Sequence, residues 1–185
     1  MRPTKESGIL CHITSLPSSN LSDGYKFVDW LRANGFAYWQ MLPLTPPDKY
    51  ASPYASPSAF AGWDALCDSE VTTSMEGDAY WLRDWALYCA IKADQDGKPW
   101  YEWPEPLKNR DSHALEKFND QLQPYIDQQA NFSAEWNNLR QYASQNGVRI
   151  IGDVPIFIAH DSADVWAHQE LLSLIHISEP TRQLC

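Results

Sequence analysis

Apolar residues gather into three short runs separated by longer stretches with helical spacing. The first run, Gly8-Ile-Leu-Cys-His-Ile-Thr, ends at the turn chemistry of Ser15-Leu-Pro-Ser and reads as a buried strand followed by a loop. Phe27, Trp30, Leu31 and Asn34 then recur at helical intervals, with Ser22 or Asp23 as N-cap and Gly35 as stop. Phe36 to Leu44 is a second apolar strand, cut off by Pro46-Pro47. Strand, helix and strand in this rhythm predict a βαβ unit, and so two parallel strands joined by a right-handed crossover.

From Tyr50 to about Glu76 the chain is rich in Ser, Pro and Ala and reads as loop. Trp81, Trp85 and Cys89 restore helical spacing and predict a helix over 79–94. A polar link through Gly97-Lys-Pro-Trp-Tyr-Glu-Trp-Pro leads to helices expected near 112–130 and 132–145, the second with Phe132, Trp136, Leu139 and Ala143 on one face and Gly147 as its end. Val148 to Ile158 is the third apolar run, followed by a loop from about Ala159. Three strands separated by helices imply an α/β fold with a parallel sheet, but periodicity does not separate an open sheet from a barrel.

Composition narrows the function classes. A formal charge of −10 disfavours nucleic acid or an anionic membrane as partner, since either needs a basic patch. No apolar run approaches a membrane span, and MRPTKESGIL lacks the apolar centre of a signal peptide. Four cysteines without a CxxC pair fit reduced thiols, so a cytoplasmic location is expected. No nucleotide, phosphate-loop or metal motif is visible, and no cofactor is expected. Nine Trp and nine Tyr suit stacking on sugar rings, although any single one is more often core.

Four segments decide the reading: SGILCHITSLPS, YWQMLPLTPP with YASPYASPSAFAG, GKPWYEWPEPLKNRD, and VRIIGDVPIFIAHDSADVW. In this order they resemble the 4-α-glucanotransferases (amylomaltases) of glycoside hydrolase family 77. The resemblance implies an incomplete (β/α)₈ barrel: about the first three barrel strands within residues 1–171, with a helical insertion over about 79–145. It also implies transfer of α-1,4-glucan segments between maltooligosaccharides by a retaining double displacement. The family's catalytic carboxylates follow the third barrel strand, so no catalytic residue is assigned and the chain alone is expected to be inactive. Ser52 and Tyr54 match the family's SPY segment beside the substrate cleft, and Asp153 stands where the end of a barrel strand faces the substrate. The SNLSDG stretch, the short interval from Asp68 to Trp81 and Ala61-Gly-Trp-Asp depart from the family pattern and leave the cleft's contour open.

Other motifs carry less. His160-Asp161-Ser162 suggests a triad by residue type, but triad members meet in space and rarely in sequence. There Asp161 or Ser162 is expected to cap the helix containing Val165-Trp166, and His12 is expected to be a packed strand-end residue. Two other readings are an amylase-like hydrolase of the same clan and a non-catalytic carbohydrate-binding protein. Leu172 to Arg182, LSLIHISEPTR, reads codon by codon as a translated sequencing adapter, so 172–185 is expected to be a non-native tail.

Overall fold

The computed structural model describes residues 6–68 and 79–171; the expected tail at 172–185 lies outside them. Strands β1 (Gly8–Leu10), β2 (Tyr38–Gln40) and β3 (Arg149–Ile151) form one parallel sheet in the order β1-β2-β3. Ile9 pairs with Trp39, and Trp39 with Ile150. Helix α1 (Asp23–Ala33) makes the first crossover, and α5 (Gln123–Gln145) leads back into β3.

The predicted βαβ unit is present, but the strands are three residues long. The third run stops at Ile151 because Gly152 and Pro155 interrupt it, and Pro155 cannot donate to a ladder. Only one face of the sheet is covered by the described residues. Ile9, Trp39 and Ile150 pack with Val28, Leu31, Leu139, Ala143 and Val148 in a core between the sheet and helices α1 and α5. On the other face Leu10 is 62% exposed and Ile151 43%. The expectation of a buried first strand is therefore corrected: pleating sends alternate side chains to opposite faces, and one face lies open.

Helix α1 buries Gly24, Val28 and Leu31, a face rotated from the expected one, while Trp30 stays half-exposed. Gly24 is the reason. A Cβ there would stand 2.6 Å from Leu139 and 3.2 Å from Trp39, so the bare backbone lets α1 sit down on the sheet core. Gly35, at φ +75°, ends the helix as expected.

A second core gathers Trp85, Tyr88 and Ile91 of α2 (Leu82–Asp94), Trp100 and Trp103 of the following link, and Val165 and Trp166 of α6 (Ala163–Ala167). Short helices α3 (Glu105–Lys108) and α4 (Ser112–Glu116) close its outer side. The two helices expected near 112–130 and 132–145 are divided differently. Pro124 stands in the first turn of α5, where its missing N–H costs nothing, so the break falls before it and the helix then runs uninterrupted through residue 131. Tyr125 and Ile126 of α5 pack on the second core, and Phe132, Leu139 and Ala143 on the sheet core, so one helix serves both.

Candidate substrate-binding site

The loops that follow β2 and β3 leave the C-terminal ends of parallel strands, where α/β folds gather their chemistry. The loop after β2 is shaped by its own side chains. Asp48 Oδ1 accepts the N–H groups of Tyr50 (3.0 Å) and Ser52 (2.9 Å), and Thr45 Oγ1 donates to the Pro53 carbonyl at 3.0 Å. Ser52 also accepts the Asp48 N–H through its carbonyl. Pro53–Ala55 then forms one 3-10 turn that presents Tyr54 to solvent.

Asp153 lies two residues beyond the end of β3. Its Oδ2 accepts the Tyr54 hydroxyl at 2.6 Å, and its Oδ1 accepts the Val154 N–H at 2.8 Å. The structure thus joins two of the three site residues read from the sequence, 99 positions apart. Ser52 enters through its backbone, as part of the turn that carries Tyr54. The hydrogen bond to Asp153 raises the Tyr54 pKa, with partial desolvation and the carboxylate's charge adding to it, so the phenol stays protonated at neutral pH. With the phenol proton given to Asp153, the remaining lone pairs of the carboxylate and of the phenol oxygen are left to accept hydrogen bonds from sugar hydroxyls.

Residues not singled out as site residues form a neighbouring cluster. Asp161 accepts from Lys92 Nζ (2.5 Å), the Tyr88 hydroxyl (2.7 Å) and the Trp100 N–H (3.2 Å). Burial is the first cause, and Asp161 the next, of the rise in the Tyr88 pKa. The His160 ring stacks on Tyr101 with centroids 4.7 Å apart, and the Trp100 indole N–H donates to the His160 carbonyl. Asp48, Lys49, Lys92, Tyr101 and Asp161 border a cleft of about 560 Å³ between this cluster and the loop after β2. Tyr88 and Lys92 share a helix face, which was visible in the sequence; their common partner Asp161, 73 and 69 residues on, was not.

The consecutive His-Asp-Ser of the loop after β3 is no triad. His160 stacks on Tyr101, Asp161 pairs with Lys92, and Ser162 Oγ accepts the Val165 N–H at 3.2 Å as the cap of α6. Of the two cap candidates it is Ser162 that serves. His12 is half-buried at the end of β1, and burial lowers its pKa, so it is neutral near pH 7. Among the described residues no group of three or more His, Cys, Asp or Glu side chains is placed to hold a metal ion.

A sequence profile of the 4-alpha-glucanotransferases matches residues 11–78 and 64–176. The chain belongs to this family. The 4-alpha-glucanotransferase of Aquifex aeolicus is 35% identical, over 91% of this chain and 46% of its own length. That of Thermus thermophilus is 32% identical, over 94% of this chain and 47% of its own length. The amylomaltase of Streptococcus agalactiae, solved in complex with acarbose, superposes with a TM-score of 0.82 at 29% identity, covering 92% of this chain and 47% of that one. The chain therefore spans about half the length of the relatives it matches. As a family member it has the α/β architecture with a small parallel sheet, and its SPY segment and strand-end aspartate meet in space. Among the described residues no helix is long and apolar enough to cross a membrane.

Proposed function

We propose that this chain is the N-terminal part of a cytoplasmic 4-α-glucanotransferase that moves α-1,4-glucan segments between maltooligosaccharides by a retaining double displacement. Residues 1–171 make the first three strands of a (β/α)₈ barrel, with a helical insertion over about 79–145, and residues 172–185 are not native to it. The open sheet face supports the barrel reading, because parallel sheets are normally covered on both sides. The nucleophile and the general acid/base belong to the half of the relatives that this chain does not match. Ser52, Tyr54 and Asp153 contribute to binding and orienting the glucan, and no cofactor is needed for carboxylate-based glycosyl transfer.

The observation that carries the reading is the Tyr54–Asp153 hydrogen bond at the C-terminal strand ends of a chain belonging to this family. It is tested with maltotriose. The 185-residue chain is expected to form no products, and a protein completed to the length of its relatives is expected to yield glucose together with longer maltodextrins. In the completed protein, Tyr54→Phe and Asp153→Asn should each lower kcat/KM about tenfold or more, the scale of a lost hydrogen bond to a charged group. Glucose alone, or no product, from the completed protein overturns the transferase reading.

A further inference from the structure

The loops after β2 and β3 meet at a second place besides the Tyr54–Asp153 bond. Asp164, in the first turn of α6, accepts the Ala59 N–H on Oδ2 at 2.9 Å and a hydrogen bond from the Ser58 side chain. Beside it the Ala163 N–H donates to the Pro57 carbonyl at 2.8 Å. The stretch so gripped is itself stiff: Ser58 is 1% exposed, its Oγ accepts the N–H groups of Phe60 and Ala61, and Ser56 Oγ accepts the Ser58 N–H. This block begins two residues after Tyr54, and Asp153 lies on the segment that runs into α6.

The two contacts differ in kind. Tyr54 and Asp153 are both exposed, and a single hydrogen bond open to competing water does not by itself hold two loops at a fixed spacing. The contact at Asp164 is largely shielded, and burial works against its charge, yet the side chain is not needed to cap α6, which Ser162 already does. We propose that Asp164 is a positioning residue which, by holding residues 57–59, sets the Tyr54 hydroxyl at hydrogen-bonding distance from Asp153. Asp164 touches no substrate itself; its effect on sugar binding passes through Tyr54 and rests on the glucanotransferase reading above.

The test needs no sugar. The chain is labelled with ¹³Cζ-tyrosine, the Tyr54 signal is assigned with Tyr54→Phe, and its titration is followed. In the wild type the bond to Asp153 holds the phenol above the ordinary tyrosine value of about 10, and Asp153→Ala removes that displacement. Asp164→Ala is expected to bring the Tyr54 midpoint down as far as Asp153→Ala does. Asp164→Asn, whose Oδ1 still accepts from Ala59, should restore it. An unmoved midpoint in folded Asp164→Ala, or equal loss in Asp164→Asn, overturns the proposal. Where Asp164→Ala does not fold, Asp164→Glu decides: it keeps the charge but carries the acceptor one methylene past the Ala59 N–H, and an unchanged midpoint rejects the positioning role. Absence of glucan transfer would sink the functional reading and leave this titration readable.

Discussion

Asp164 shows how one side chain sets a pH response. Its pKa is raised, first by burial, against the hydrogen bonds that favour its charged form. The native state therefore holds this proton to higher pH than the unfolded chain, whose aspartates titrate near about 3.9. Where the native state binds more protons, stability falls as pH rises. Wild type should thus lose stability relative to Asp164→Asn as pH climbs from the unfolded value through the folded one, and the gap should level off above it. Urea unfolding of both proteins across that interval checks this; a wild type that gains stability relative to Asp164→Asn with rising pH would refute it. Legibility at this scale followed locality. Tyr54 and Asp153 could be marked in the sequence because each sits in a distinctive short motif. Asp164 and Lys92 could not, because ordinary helical residues gain their roles only from partners 105 and 69 positions away.

Helix α5 shows where pattern reading fails at the level of an element. Its 23 residues look like two helices when apolar spacing is the guide, because the face that must be buried changes partway along. Pro124 was the better marker, since its ring is tolerated only in a first turn. Near that change lies Gln129, 2% exposed, whose Oε1 accepts the Gly62 N–H at 2.8 Å and whose Nε2 donates to the Gly62 carbonyl at 3.0 Å. The side-chain amide acts as a missing peptide neighbour for the loop after β2. A Cβ on Gly62 would come within 2.0 Å of the Phe132 ring, so this strip of backbone lies directly against the helix. Gln129→Leu leaves a buried donor and a buried acceptor unpaired and should cost about 2–5 kcal/mol, read as a lower urea midpoint with an unchanged m-value. A loss below about 1 kcal/mol would mean that water replaces the amide. The strands and the first two long helices were legible as elements because apolar runs and turn residues mark them locally. The face that α1 buries was not, since Gly24 packs on Leu139 far along the chain, and α5 answers to two cores at once.

Across the whole molecule the uncovered sheet face dominates. Val154, Ile156 and Phe157, in the loop after β3, add apolar surface at 78%, 90% and 70% exposure, and among the described residues β3 is an edge strand. Parallel strands in apolar sequence are normally covered on both faces, so the chain should associate with itself at micromolar concentrations. Ile156→Lys with Phe157→Lys should shift sedimentation toward monomer; a wild-type chain that stays monomeric to high concentration would contradict this. The strand-and-helix rhythm conveyed the parallel sheet but not whether such a sheet is open or closed, because an open sheet and a barrel share the same local alternation.

The helix shared by the two cores has a practical consequence for anyone cutting this protein. The region that interrupts the sheet is not a cassette that lifts out between two loops: its last helix is also the floor under Trp39 and Val148. A deletion carried to residue 145 would take Leu139 and Ala143 with it and empty the sheet core, whereas one that stops before Gln129 keeps the floor and the brace on Gly62. Where the helical region between β2 and β3 ends in sequence and where it ends in load are sixteen residues apart, from 129 to 145.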